Sequence, residues 1–275
     1  MSSVPPSMPP SAPPPAPDSA GAGIQWIREG FALFRKQPGE LSMLFLLYML
    51  LMFSLSLIPV VGQLLPLLLV PAFSMAFMQA CADIEAGRKV TPRLLLTAFR
   101  SPALGTLLRL GSLYLLTAMG AVAASAIVDG GVFLKLMTGQ IAPDDTNVQV
   151  GDLPLAILFS ALVYLPAAMA FWHAAPLAVW QRMGLFKAVF YSFFAVKRCG
   201  KAFIAYALGW ILVGIALPAV ISAVLALLLG KNIVSVMLLM PLSVILTLVM
   251  YCSFYPTYTA VFERPEPSRP TSHLA

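Results

Sequence analysis

The chain has 275 residues, 60% of them hydrophobic and 10% charged, with a formal net charge of +6. A soluble domain averages roughly 45–50% apolar and about 25% charged, so these figures exclude a soluble globule and ask for a membrane around the chain. The surplus of base does not indicate nucleic acid. Lys and Arg fall between apolar runs, where membrane topology and anionic headgroups account for them.

Met1–Pro17 holds eight prolines and no Lys or Arg. It has neither the basic start nor the apolar stretch of a secretory signal, and residues 1–20 are expected to form a disordered, partly polyproline-II tail. The membrane domain is expected over residues 21–262, with a second disordered tail over 263–275.

Ile24–Pro38 reads as an amphipathic helix. Ile24, Ile27, Phe31 and Phe34 share one face, and Gln25, Arg28, Glu29, Ala32, Arg35 and Lys36 the other. Such a helix suits the membrane interface, with Trp26, Arg28, Phe31, Phe34, Arg35 and Lys36 as the interfacial residues. Spans of about 20 apolar residues then follow. The first is Leu41–Val60, the turn Pro59–Gln63 leads out of it, and the second is Leu64–Ala82, with Pro66 and Pro71.

Thr91-Pro92 reads as a helix cap, with Arg93, Thr97 and Arg100 on one face of a second interfacial helix. The third span is Ala103–Val128, with Arg109 near enough to its start to reach the surface. The acidic loop Asp129–Leu153 contains Gly131–Met137 as a candidate short helix. The fourth span, Pro154–Trp180, is broken by Pro166 and Pro176. A third interfacial helix is expected over Gly184–Lys201, with Phe186, Val189, Phe190 and Phe193 opposite Lys187, Tyr191 and Arg198. The fifth span is Ala202–Leu229, the turn is Gly230-Lys231-Asn232, and the sixth span is Ile233–Val261.

The expected fold is therefore all-α, a transmembrane bundle of six spans in three hairpins. An amphipathic segment precedes each hairpin, at Phe34–Pro38, Phe99–Pro102 and Phe193–Arg198. Of the 17 Lys and Arg, all but Lys135 and Lys231 fall on one side of this arrangement. The positive-inside rule makes that side cytoplasmic, with both termini in the cytoplasm.

Polar groups that could carry chemistry are few. His173, in the fourth span, is a candidate functional residue because an ionisable group at membrane depth is one by default. A neutral ring bonded to a carbonyl is the plainer expectation. Asp83 and Glu85 are placed to pair with Arg88, Arg93 or Arg109, as a structural ion pair more readily than a substrate site. Asp144-Asp145 lacks the alternating ligands of a calcium loop. Cys81, Cys199 and Cys252 lack metal-ligand or disulfide spacing and read as small buried hydrophobes. No GxxxxGK[ST], HExxH or GxSxG motif occurs, and no GxxxG. No enzyme activity, cofactor or metal is expected.

At Trp26-Ile27-Arg28-Glu29-Gly30-Phe31, Leu33-Phe34-Arg35 and Pro38, the chain resembles a family of uncharacterised six-helix bacterial inner-membrane proteins. The resemblance continues at Leu57–Gly62, at Phe99-Arg100-Ser101-Pro102 with Tyr114, and at Ala174-Ala175-Pro176-Leu177-Ala178 with Ser192-Phe193. It departs at Arg198-Cys199, where a basic-Asn pair would be expected. More distantly, the hairpin order resembles the membrane portion of glycerophosphodiester phosphodiesterases, without their catalytic barrel. The resemblance implies the inner membrane and assigns no activity. The expected role is to organise anionic lipid or a membrane-protein partner. The alternative is a small transporter built on proline-broken second, fourth and sixth spans, at Pro71, Pro176 and Pro256.

Overall fold

The computed structural model describes residues 16–58, 62, 64–141, 151–229, 233–262 and 264–265. The proline-rich segment 1–15, most of the Pro59–Gln63 turn, Asp144-Asp145, the Gly230-Lys231-Asn232 turn and residues 266–275 lie outside the described residues. Among the described residues all regular structure is helical. Six segments are long and apolar enough to cross a membrane: Pro38–Ser56, Leu65–Glu85, Leu104–Asp129, Leu153–Trp180, Gly200–Leu227 and Leu239–Thr259.

Helix α1 (Ala20–Lys36) ends where Gln37 leaves helical geometry, and Pro38 opens α2 (Pro38–Ser56) as a first-turn proline, whose missing N–H costs nothing there. The Gln37 side chain then clamps the neighbouring connection. Its Nε2 donates to the Arg88 carbonyl at 2.7 Å, and its Oε1 accepts from the Val90 N–H at 2.9 Å. Helix α3 (Leu65–Glu85) runs unbroken through Pro71 and is the most enclosed span.

The expected second interfacial helix is reduced to a single 3₁₀ turn, Pro92–Leu96. Its middle leucines pack on α2 and α3, and Ser101-Pro102 stops further helix before α4 (Leu104–Ala124). Short helices α5 (Ala126–Asp129) and α6 (Val132–Met137) follow, the second inside the stretch expected to be helical. The Asp129 carboxylate accepts from the Gly131 and Phe133 N–H groups, at 2.9 and 2.7 Å, and so fixes the turn between them.

The fourth span is two helices, α7 (Leu153–Phe171) and α8 (Ala174–Trp180). Helix α9 (Leu185–Arg198) leads into the fifth span. There α10 (Gly200–Trp210) passes through a π-helical stretch, Ile211–Ala216, into α11 (Leu217–Leu229). Pro218 removes the N–H that Gly214 would have accepted, which gives the π-turn a local cause. Helix α12 (Ile233–Thr259) runs through Pro241 and Pro256 without a break. Of the proline breaks expected in even-numbered spans, at Pro71, Pro166, Pro176 and Pro256, only that at Pro176 interrupts its helix, and α7 runs through Pro166 as α3 runs through Pro71. At Pro256, the freed Cys252 carbonyl takes the Cys81 thiol at 3.9 Å instead. All three cysteines are buried and free.

The helices meet through small residues. A Cβ on Gly23 would overlap the Ala202 carbonyl of α10, and one on Gly30 would fall 2.7 Å from Ser253 Cβ of α12. Helix α1 therefore packs across α10 and α12, its buried face being Ala22, Gly23, Trp26, Ile27, Gly30 and Leu33. Beneath it, Tyr206 donates to Ser253 at 2.6 Å, while the Ser253 hydroxyl donates to the Met250 carbonyl.

Gly111 has the same part between α4 and α3, where a Cβ would overlap the Leu68 carbonyl. Backbone cannot yield as a side-chain tip can, and overpacking costs about 1–3 kcal/mol. Gly111→Leu should therefore lower the unfolding temperature in detergent clearly. Gly105→Leu, on the same helix with open space around it, should leave it nearly unchanged. Equal shifts would mean that α3 and α4 do not meet at Gly111.

Candidate functional site

The interruption between α7 and α8 gathers three of the eight buried polar side chains among the described residues, His173, Ser192 and Thr257. Pro176 has no N–H, and its ring crowds the carbonyl four residues back, at Trp172. The chain opens there, with His173 at φ −110°, ψ 2°. The His173 N–H does not reach the Met169 carbonyl, its normal helical acceptor. The Ser192 hydroxyl of α9 stands between them, accepting from His173 N–H at 2.9 Å and donating to the Met169 carbonyl at 3.1 Å. One side chain from another helix thus replaces a missing rung, and Ser192 is completely buried.

The His173 ring is 1% exposed and reaches α12. Thr257 donates to the Phe254 carbonyl at 2.7 Å, so its oxygen is left to accept from Trp172 Nε1 at 3.2 Å and His173 Nε2 at 3.3 Å. That count assigns the Nε2–H tautomer. The partner is a hydroxyl and not the carbonyl expected, because Pro256 and Thr257 turn a side-chain oxygen towards the break. Phe203, Tyr258 and Phe262 surround the ring. Ser192 meets the main chain of His173 and not its imidazole, so the two form no nucleophile–base pair.

A second polar group lies where α3 ends. Asp83, 6% exposed, accepts from Gln79 Nε2 at 2.9 Å and pairs with Arg88. Gln79 in turn accepts from Trp180 Nε1 at 3.2 Å. Glu85 accepts from the Tyr255 hydroxyl at 2.6 Å and pairs with Arg264 at 3.4 Å. Of the bases considered from sequence, Arg88 is the one that meets Asp83. Arg109 is exposed on α4, outside this network. Gln37, Gln79, Ser192 and Thr257 do more here than sequence reading assigned them. For Gln79 and Asp83 the signal was present, since a spacing of four places them on one helix face. Among the described residues no group of three His, Cys, Asp or Glu side chains could hold a metal ion.

The third feature is an outer surface. Helix α9 buries Ala188, Ser192, Ala195 and Val196 against α7 and α8. Phe186, Phe190 and Phe194 point outward, 85%, 59% and 49% exposed. They lie one helical turn apart, with Lys187, Lys197 and Arg198 exposed beside them. The Lys187 ammonium stands 5.8 Å from the centre of the Tyr191 ring. Cys199, just beyond, is buried, and burial pushes its thiol pKa up. Helix α1 is different from expectation. Arg28, Arg35 and Lys36 are exposed and Phe31 and Phe34 half-buried, but Trp26 is 3% exposed, with Phe203 tilted against it and Tyr206 edge-on. Trp26 is thus packed inside the protein and does not face lipid, because Gly23 and Gly30 bring α10 and α12 against that face. Ile24, assigned to the apolar face, is 40% exposed.

Six apolar helical crossings in an all-α bundle define a multi-pass integral membrane protein. The chain is 38% identical over 259 residues to a probable inner membrane protein of Burkholderia thailandensis, a match covering 92% of this chain and 95% of that one. It belongs to that family of probable inner membrane proteins. No family model matches the chain, and no solved structure matches it.

Proposed function

We propose that the protein is a non-enzymatic component of the inner membrane that gathers anionic lipid on its cytoplasmic side. The observation that carries this reading is the outer face of α9, with Phe186, Phe190 and Phe194 exposed beside Lys187, Lys197 and Arg198. Aromatic rings enter the acyl boundary while the bases stay with the headgroups. Each base near an anionic surface contributes about 1 kcal/mol, so three contribute about 3 kcal/mol, roughly a hundredfold in occupancy. The basic connections support the cytoplasm for this side, together with both termini. Reporter fusions after Asn147 and within 266–275 test that orientation, and a cytoplasmic signal at Asn147 would reverse it. The distant resemblance to the membrane portion of glycerophosphodiester phosphodiesterases fits a place among lipid phosphates, and a membrane-protein partner on the same side fits it equally.

The lipid reading is tested with purified protein in nanodiscs of mixed phosphatidylglycerol and phosphatidylethanolamine. Phosphatidylglycerol should be enriched around the protein, and the enrichment should fade at 1 M salt, where the screening length falls to about 3 Å. It should also fade when Lys187, Lys197 and Arg198 are all replaced by Gln. Enrichment indifferent to both changes would remove the proposal.

One observation favours a transporter as the second reading: the α7–α8 break borders a cavity of about 350 Å³. No charged residue lines it, which supports the first reading over carriage of a polar solute.

A further inference from the structure

The cavity beside the α7–α8 break has a shape and a lining that specify an occupant. Its walls include Phe77 of α3, Tyr114 of α4, Tyr164 and Trp172 of the fourth span, and Tyr251 and Phe254 of α12. Along α3 it reaches from Met78 to Val70, about 10 to 22 Å below Glu85 at 1.5 Å per residue. That interval lies within a hydrocarbon layer of about 30 Å. The slot has a volume of about 350 Å³ over a length of about 12 Å.

The walls do not close on themselves. Phe77 stacks on Tyr251 with centroids 4.5 Å apart, and Tyr114 on Phe171 at 4.2 Å, so the rings brace each other and hold the slot open. Three of the polar groups along it are already engaged. Tyr114 donates to the Phe171 carbonyl at 3.5 Å, Ser74 to the Pro71 carbonyl at 2.9 Å, and Trp172 to Thr257. Water needs two to four polar partners and finds few here. An empty apolar cavity is destabilising in proportion to its volume. At half-buried Tyr164 the slot meets the outer surface of α7, where Leu162 and Leu165 are exposed to the bilayer.

We infer that this slot is a binding site for one acyl chain of a membrane phospholipid, entering from the bilayer beside Tyr164. The headgroup stays outside, since nothing charged lines the slot. The inference rests on the six-span fold and not on the outer face of α9.

Native mass spectrometry of the full-length protein, extracted from membranes and stripped with excess detergent, tests it. The protein should retain one phospholipid. Ala175→Phe, which fills the slot from α8, should reduce the retained fraction at least tenfold, whereas the Lys187, Lys197 and Arg198 to Gln variant should keep it. Retention equal in Ala175→Phe, no retained lipid in the parent, or a retained polyprenyl mass would each overturn the assignment. A second measurement needs no variant: irradiate the parent protein with phosphatidylethanolamine carrying a diazirine on its acyl chain. Labelling should fall on Met250, Tyr251 and Phe254 of α12. Labelling confined to the outer leucines of α7 would also overturn it.

Discussion

Asp83→Ala should lower the unfolding free energy by about 3 kcal/mol, more than any other single charge removal at the basic end. Breaking a buried ion pair costs roughly 3–5 kcal/mol, because the remaining charge keeps its desolvation without its partner. The lower end applies here, since the Arg88 side chain is 29% exposed and the Asp83 side chain 8%. The same carboxylate also holds the Gln79 amide, which receives Trp180 from the end of the fourth span. Its loss should therefore loosen α8 as well as the connection after α3. Asp83→Asn keeps an oxygen for Gln79 but loses the charge pairing with Arg88, and should fall between the parent and Asp83→Ala. Denaturant titration in detergent orders the three proteins. Equal stability of Asp83→Ala and the parent would mean that the network does not join α3 to α8.

Ser192→Ala should destabilise by about 2–4 kcal/mol. Two main-chain groups lose their only bridge, the His173 N–H and the Met169 carbonyl, and each buried unpaired group costs about 1–3 kcal/mol. The effect should be local first. Hydrogen exchange at the His173 amide should quicken in Ser192→Ala well before the ends of α7 or α12 respond. Ser192→Cys keeps a similar volume with a weaker donor and should fall between. Slow exchange at His173 in Ser192→Ala would show that the break closes into ordinary helix without the hydroxyl.

Run length and charge made the six spans legible, since a membrane demands about 20 apolar residues whatever the packing inside. The amphipathic segments were legible as helices in two cases of three. In the third, Thr91-Pro92 offered a good helix start, and Pro102 left too little chain to continue it. Which face of each helix turns inward was not legible. Hydrophobic patterning assumes that the largest apolar residues go inside, as in water. In a membrane the contacts between helices favour small residues. Gly23 and Gly30 on α1, Gly111 on α4, and Ala188 and Ala195 on α9 therefore set the contacts, and Phe186, Phe190 and Phe194 of α9 turn outward. The site at His173 was half legible. The residue stands out as an ionisable group at membrane depth, but Ser192 and Thr257 come from 19 and 84 positions away and carry no local signal.

Helix α9 is expected to have one face in lipid and the other in the α7–α8 break. Spin labels placed one at a time along Phe186–Val196 in liposomes test it directly, since the native cysteines are all buried. Labels at Phe186, Phe190 and Phe194 should be accessible to oxygen and shielded from an aqueous nickel reagent, and those at Ala188, Ser192 and Ala195 should be shielded from both. Nickel access at Phe186, Phe190 and Phe194 equal to that at Lys187 and Tyr191 would place the aromatic face in water and contradict the account.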